Sequence, residues 1–477
     1  MEKNTFYITT TLPYVNADPH IGFALEVVHA DIIARWHRLM GRDVFFNTGT
    51  DEHGIKILRK AEELGMNPQA YVDDYAARFK RVMAPEALNI DFSNFIRTTD
   101  PKHKEAAQEF WRRCEKSGDI YKKNYKVKYC VGCELEKTDS ELENGCCPLH
   151  PNLEIEIIEE ENYFFKLSNY QGRLLALYAE RPGFVLPEPQ FVEIKKFVAQ
   201  GLQDFSISRL KEKMSWGVPV PGDDKHVMYV WFDALVNYIS TIGWPHDMEQ
   251  FEKWWPVIQL AGKDQVRQQV VMWQAMLFSA GLPPSRQVVI HGFVISGGQK
   301  MSKSLGNVVN PIEIVEKYGT DPLRYFLARH MHPFEDSDFT AEKFKEAYNA
   351  NLANGLGNLV ARIMKMVEEH LPVPVEHPAP EDFPEEYVKA IKSFELNRAM
   401  DFIWDNLQKL DERITKEEPF KLIKNNPEAG KVLIAELVTE LYQVGRMLNP
   451  FMPETSKKIK EAILANKKPE TLFPRKD

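Results

Sequence analysis

Two hydrophobic rhythms alternate along this chain. Phe6-Tyr-Ile-Thr-Thr10 is a short β-rich run, followed by a loop containing Pro13 and Pro19. Ile21, Ala24, Leu25, Val28, Ile32, Trp36 and Leu39 then recur at helical spacing until Gly41 stops the pattern. Asp43-Val-Phe-Phe-Asn47 is strand-like again. Strand, loop, helix, strand predicts a βαβ unit, hence a parallel sheet with ligands at the carboxyl ends of its strands. The same grammar returns later. Pro256-Val-Ile-Gln-Leu-Ala261 reads as a buried strand, about 264–280 as a helix and Gln287-Val-Val-Ile-His-Gly-Phe-Val-Ile295 as a further strand. The sheet is therefore expected in two halves. The segment between them, about 114–225, carries a cysteine cluster and Pro-rich turns (Arg181-Pro-Gly-Phe-Val-Leu-Pro-Glu-Pro189) and reads as an insertion. After about 340 the pattern is helical throughout: one long helix over about 341–369, a Pro-rich break at 371–384, then helices near 385–425, 428–447 and 454–465. That pattern predicts a helical bundle.

Composition narrows the class. With 477 residues, 44% hydrophobic and 27% charged, the chain is an ordinary globular protein of about three domains. It has no apolar run long enough to span a bilayer, and its N-terminus lacks the order of a signal peptide. A cytoplasmic protein is expected. Sixty basic against 69 acidic residues give a net charge of −9. That excludes nucleic-acid binding through bulk positive charge and leaves only a local patch. Four of the five cysteines (Cys130, Cys133, Cys146, Cys147) fall within 18 residues. Such clustering reads as a metal site in a reducing compartment rather than a disulfide framework. Cys130-x2-Cys133-x13-Cys147-x2-His150 offers three thiolates and an imidazole, the donor set of a closed tetrahedral Zn²⁺ site. Cys146 is an alternative ligand. Cys114 stands apart and reads as buried and inert.

Two segments carry phosphate chemistry. Pro19-His20-Ile21-Gly22-Phe23 opens the first helix, where free N–H groups favour anions, a glycine admits a ligand to the backbone, and a histidine can donate. Gly297-Gly-Gln-Lys300-Met-Ser302-Lys303-Ser-Leu-Gly-Asn307 follows the last strand, with two lysines and serines facing a polyphosphate from a mobile turn. It is not a Walker loop. Each lies on its own half of a split sheet, and together they resemble the "HIGH" and "KMSKS" signatures of class I aminoacyl-tRNA synthetases. Thr11-Leu-Pro-Tyr-Val-Asn16, Asn47-Thr-Gly-Thr-Asp-Glu-His-Gly54, Tyr229-Val-Trp-Phe-Asp-Ala234, Gly262-Lys-Asp264 and Leu472-Phe-Pro-Arg475 look like the methionyl-tRNA synthetases.

The resemblance implies an α/β fold: a split Rossmann-type parallel sheet over 1–113 and 226–294, and a connective insertion at 114–225 with a zinc knuckle at about 127–152. The KMSKS loop and linking region would occupy 295–348 and a helical anticodon-binding domain 349–477. It implies a ligase that activates methionine with ATP and Mg²⁺, then charges the 3′ end of tRNA(Met). His20, Lys300 and Lys303 are the implied catalytic groups. Gly22, Gly262, Asp264, Gly292, Phe293 and Ser302 join them around ATP. Leu12, Tyr14, Asp51, Trp231, Ala234, Tyr238 and Trp273 are placed around methionine, with Asp51 on the ammonium. Two pocket positions depart from the family's Ile and His: they are Gln265 and Gln269. Cys130, Cys133, Cys147 and His150 match the structural Zn²⁺ knuckle, one ion per chain. Asn358 and Arg362, one turn apart, and Phe420, where the family has Trp, are placed on the anticodon. Phe23 replaces the second signature His, and His53 is a candidate replacement donor. Many relatives carry a C-terminal dimerisation module that is lacking here, so a monomer is expected. The insertion leaves little room for the editing domain of the Val, Ile and Leu ligases. A catalytically weak RNA-binding paralogue is the other reading that Phe23 suggests, and the two lysines argue against it.

Overall fold

The computed structural model describes residues 4–301, 307–375 and 382–476. These form two compact units: 1–19, 43–81 and 92–291 in the first, 20–42, 82–91 and 292–477 in the second.

The first unit is built on a six-stranded, all-parallel sheet. Its order is Asn94–Arg97, Asp43–Thr50, Thr5–Thr9, Ile258–Gly262, Gln287–His291 and Val185–Leu186. The central strands are buried nearly along their whole length, as expected of parallel strands covered on both faces. The order reverses direction between Thr5–Thr9 and Ile258–Gly262, and such a switch point opens a crevice at the strands' carboxyl ends. Val185–Leu186, inside the stretch read as Pro-rich turns, adds the sixth strand beside Val288 and Val289. Two residues are too few to show a strand period. The insertion otherwise centres on a long antiparallel pair, Ile120–Cys130 with Glu156–Phe165. The cysteine cluster hangs between their far ends.

The expected strand 287–295 is two strands. Gln287–His291 stays in the sheet of the first unit. Val294–Ser296 belongs to the second unit, paired with Gln299–Lys300 and with Ser337–Asp338. The break falls at Gly292, where a Cβ would lie 2.2 Å from the backbone of Glu335. The expected helix 264–280 is likewise composite: a tight turn at Lys263–Gln265, wide i→i+5 turns over Arg267–Met272, then the α-helix Trp273–Ser279.

The second unit is helical apart from that small sheet. Helix Ile21–Leu39 groups here because Arg324 anchors it. The fully buried Arg324 guanidinium lies 2.7 Å from Asp31 and donates to the carbonyls of Phe451, Pro450 and Leu88. A buried charge this well satisfied ties the first helix to the end of the bundle. The long helix expected over 341–369 runs to His370 but widens into i→i+5 turns over Tyr348–Gly357. There the C-terminal strap is sewn on: Tyr348 donates to Pro474 O, and Asn349 exchanges two hydrogen bonds with Lys476. The region expected near 385–425 is three helices, broken at Phe394 (φ 60°) and Glu418 (φ 43°).

Candidate active site and metal centre

The loop after Thr5–Thr9 and the end of Asp43–Thr50 are stitched together. Asp51 N donates to Pro13 O (3.0 Å) and Val15 N to Asp51 O (3.3 Å). This carries Leu12, Tyr14 and Asp51 to the carboxyl edge of the sheet. Asp51 is 2% exposed. Burial, then the neighbouring Asp233 and Glu134, pushes its carboxyl well above the usual range. Among the described residues no cation pairs with it. Tyr14 meets Trp231 edge-on at 6.0 Å, and Tyr238 meets Trp273 edge-on at 5.9 Å. Ala234, Tyr238, Gln269 and Trp273 are all buried. Four buried polar atoms in this set, Tyr14 Oη, Trp231 Nε1, Trp273 Nε1 and Gln265 Oε1, have no protein partner among the described residues. Groups of that kind call for an explanation, and a ligand supplies one. The residues expected around an amino acid therefore share one aromatic, acid-floored region of the first unit.

Several neighbours were not singled out in the sequence. Asp233 holds His53 Nδ1 at 2.7 Å with both side chains buried. His53 is thus committed to an interior hydrogen bond with Asp233 and packs edge-on to Trp216, which removes it as an accessible substitute for the missing signature His. Glu52 takes both ends of Arg97 (2.6 and 2.9 Å). Gln259 and Gln274 are buried beneath Gln269. A Gln in the apolar run Val-Ile-Gln-Leu-Ala was the available signal.

At the end of Ile258–Gly262, a Cβ on Gly262 would lie 2.7 Å from Asp264 Oδ1, so glycine lets that carboxylate fold over the strand terminus. In the second unit, His20 caps helix Ile21–Leu39 by accepting Gly22 N–H on Nδ1 (3.0 Å). Burial lowers the His20 pKa, so the ring is neutral. With Nδ1 occupied as an acceptor, the proton sits on Nε2 as a donor. Gly22 is required there: a Cβ would lie 2.8 Å from the imidazole and 3.8 Å from Met301. Ile21 N donates to Val309 O (3.0 Å), which ties the start of this helix to the segment after the second signature. Gly297 and Gly298, both at positive φ, form the two-residue turn between Val294–Ser296 and Gln299–Lys300. Phe293 N donates to Asp336 (2.8 Å). Lys300 is placed by its backbone only. Its side chain, Ser302 and Lys303 lie outside the described residues.

The four expected metal ligands converge: one donor atom from each of Cys130, Cys133, Cys147 and His150 lies within 4.8 Å of all the others. Cys133 Sγ is 3.5 Å from Cys147 Sγ and 3.3 Å from His150 Nδ1, and His150 Nδ1 is 3.8 and 3.9 Å from Cys130 and Cys147. Tetrahedral Zn²⁺ with bonds of about 2.0–2.3 Å requires edges of about 3.5–3.8 Å. The donors fit. Cys146 is outside the group and its backbone pairs with Glu143 instead. A Cβ on Gly132 would strike the His150 ring at 2.4 Å. The knuckle also touches the amino-acid region, since Lys56 Nζ donates to Gly132 O (2.8 Å) and Lys56 N to Glu134 (3.2 Å). Cys114 is fully buried, with its thiol pushed up to about 12 by burial, and is inert as expected.

On the helical unit Asn358 is exposed, Phe420 is 45% exposed, and the Arg362 side chain, 39% exposed, is paired with Asp411. Trp404 is used structurally, tilted against Tyr325 at 4.6 Å beneath Arg329. No described helix is long and apolar enough to cross a membrane.

Known proteins agree with this arrangement. The family model described as "tRNA synthetases class I (M)" matches residues 6–154 and 152–364. The methionine–tRNA ligase of Thermotoga maritima is 41% identical over 97% of this chain and 76% of its own length. That of a Nostoc species is 41% identical over 97% and 90%. Mycobacterium tuberculosis methionyl-tRNA synthetase, solved with methionyl-adenylate, is 36% identical and superposes with a TM-score of 0.88 over 99% of both chains. By sequence and by fold alike, this chain belongs to the class I tRNA synthetases of the methionyl family.

Proposed function

We propose that this chain is a methionine–tRNA ligase, joining L-methionine to ATP as methionyl-adenylate and passing the acyl group to the 3′ end of tRNA(Met). The observation that carries the reading is Asp51, a buried acid that no cation pairs with among the described residues, in the same unit as four aromatic rings suited to a thioether. Asp51 takes the ammonium. The substrate carboxylate, with a pKa near about 3.5, is already ionised and attacks the α-phosphorus without a general base. Pyrophosphate leaves, and Mg²⁺ bound with ATP would neutralise phosphate charge. Catalysis is then positioning and stabilisation of phosphate charge. His20 Nε2–H and the helix N-terminus serve the α/β-phosphates, and Lys300, Ser302 and Lys303 serve the leaving pyrophosphate. Asp264 accepts from the ribose, with Gly262 beneath it. The Gly292–Phe293 backbone faces adenine. Leu12, Tyr14, Trp231, Ala234, Tyr238, Gln265, Gln269 and Trp273 line the methionine site. Cys130, Cys133, Cys147 and His150 would hold one structural Zn²⁺ per chain, which would keep the knuckle closed. Asn358, Arg362 and Phe420 meet the anticodon. Residues 1–113 and 226–294 act as the catalytic domain, 114–225 as the connective insertion, and 295–348 as the link to an anticodon domain at 349–477.

ATP–pyrophosphate exchange with each of the twenty amino acids tests this. Methionine is expected to exceed leucine, isoleucine, valine and cysteine by a wide margin. Equal turnover of leucine, or none of any amino acid, would refute it.

A further inference from the structure

In the second unit one short stretch grips a hairpin at its root and at its tip. The hairpin is Val294–Ser296 with Gln299–Lys300, Ile295 lying opposite Lys300 and Ser296 opposite Gln299. Ser337–Asp338 runs parallel along the other edge of Val294–Ser296. Ser337 N donates to Phe293 O and Phe339 N to Ile295 O, both at 2.9 Å. Two side chains of the same stretch complete the grip. Asp336 accepts Phe293 N–H at the root (2.8 Å), and Asp338 Oδ1 accepts Gly298 N–H at the tip (3.1 Å). The tip is the weak point. Gly297 and Gly298, at φ 63° and 74°, make the turn, and glycine has more backbone freedom to lose than any other residue. A carboxylate seated on successive backbone N–H groups, as an anion sits in a backbone nest, restrains that freedom. Asp338 Oδ2 accepts from Lys343 Nζ (2.8 Å) in helix Ala341–Ala347, whose N-terminus is capped by Thr340. The Lys343 ammonium, and then the N–H groups of Gly298 and Gly297, hold the Asp338 carboxyl below the usual carboxylate range. It is ionised at neutral pH, so these are charge-assisted bonds.

The hairpin matters because of what its outer strand carries. Lys300, the first lysine of Lys300-Met-Ser-Lys303, comes two residues after Gly298. Gln299–Lys300 is the edge strand of this three-stranded sheet, so its backbone is held by Val294–Ser296 on one side and by the turn at its start. A rotation of the Gly297-Gly298 turn passes directly to Lys300. The pair with Lys343 alone would be an ordinary surface ion pair, since that lysine side chain is 56% exposed. The bonds to the glycine turn set Asp338 apart. We propose that Asp338 is a positioning residue of the activation step: it ties the Gly297-Gly298 turn to helix Ala341–Ala347 and so places Lys300 for the leaving pyrophosphate. This rests on the ligase reading above and on the role given there to Lys300. Asp338 need not touch the nucleotide to act.

The test is ATP–pyrophosphate exchange with methionine. Asp338→Ala removes both carboxylate oxygens and is expected to lower kcat about tenfold, the scale of one charge-assisted hydrogen bond on a partly exposed group. The pyrophosphate KM should rise with it. The methionine KM should keep its wild-type value, because the residues expected around methionine belong to the first unit. Asp338→Asn retains an acceptor oxygen for the turn and should recover most of the loss. The decisive comparison is the double variant. In a Lys300→Ala background, Asp338→Ala should cost nothing further, since the residue it places is gone. If Asp338→Ala does not fold, Lys343→Met reads the same coupling without touching the sheet, as about a twofold loss that disappears in Lys300→Ala. An unchanged kcat in Asp338→Ala would overturn the proposal. So would an equal loss with and without Lys300, which would make Asp338 a purely structural residue. If the wild type exchanged with no amino acid, the ligase reading would fall and this inference with it; methionine exchange that Asp338→Ala leaves unaltered would sink this inference alone.

Discussion

The amino-acid region and the proposed anticodon face are built on opposite principles. In the first, Asp51 is 2% exposed, Tyr238 and Trp273 are buried, and Tyr238 and Gln269 are fixed by further buried partners. In the second, Asn358, Arg362 and Phe420 stand in solvent, and the charged member is tied by one surface ion pair. A ligand of a few atoms has little area to offer, so its recognition must come from desolvated groups that need no rearrangement. An RNA loop brings many contacts and must find groups able to leave their partners. Rigidity is concentrated in the proposed amino-acid pocket, and freedom on the proposed anticodon face.

The largest expected effect breaks the buried side. Asp51→Asn should raise the methionine KM steeply, because it leaves an ammonium without its charge partner in a dry site. Breaking a buried pair costs about 3–5 kcal/mol, roughly 10²- to 4 × 10³-fold at about 1.4 kcal/mol per decade. The same variant should be more heat-stable without ligand. Burial, with Asp233 and Glu134 beside it, raises the folded-state pKa of Asp51 above its unfolded value. The stability this group contributes is present below the unfolded pKa and is lost as pH rises through the folded one, so at neutral pH the ionised acid is a cost. Calorimetry at pH 7 should show a higher Tm for Asp51→Asn, and the gain should shrink as pH falls. A lower Tm at pH 7 would mean that another cation already satisfies Asp51.

The knuckle tests how far that rigidity extends. Cys147→Ser should abolish stoichiometric zinc, and Cys146→Ser should leave about one ion per chain, measured by elemental analysis. Methionine exchange should fall tenfold or more with the metal, since Lys56 links the knuckle to the turn carrying Asp51. Zinc retained in Cys147→Ser and lost in Cys146→Ser would reverse the ligand choice.

Arg362→Ala probes the other region. Aminoacylation of tRNA(Met) should drop about tenfold or somewhat more, in keeping with about 1–3 kcal/mol for a good base contact, with pyrophosphate exchange unchanged. Loss of exchange as well would make Arg362 structural.

The two regions also differ in how much of them the chain disclosed. The parallel sheet, the helix after it and the Cys/His cluster were readable because their signals are local: a short apolar run, a 3.6 period, a Cys-x2-Cys and a Cys-x2-His. The family resemblance then supplied a set of pocket residues, all of which lie in the first unit. What stayed hidden is made only by tertiary contact. Gln259, Gln269, Gln274 and Ser285 look like scattered polar residues until strand, wide turn, helix and loop meet. His53 read as an available donor because nothing in its own turn announces Asp233, 180 residues away, as its partner. Val185–Leu186 has too few residues for a period, and only its neighbours make it a strand.

The smallest expected effect concerns Asp411, and it sharpens the contrast most directly. Arg362 must leave this carboxylate if it is to meet an anticodon base, so the ion pair acts as a competitor of tRNA. Both side chains are more than a third exposed, 39% for Arg362 and 53% for Asp411, so water and salt screen the attraction. Exposed pairs of this kind contribute about 0.2–1 kcal/mol, and releasing Arg362 should lower the tRNA KM by about 1.4- to 5-fold at about 1.4 kcal/mol per decade. Asp411→Asn is the suitable variant because it removes the charge and keeps the shape. Its gain should be greatest at low ionic strength and vanish in Arg362→Ala, which has no guanidinium to release. If Asp411→Asn instead weakened aminoacylation in the wild-type background, the pair would be holding Arg362 in its reading position. The anticodon face would then be preorganised like the amino-acid pocket, and the difference between the two regions would be one of exposure alone.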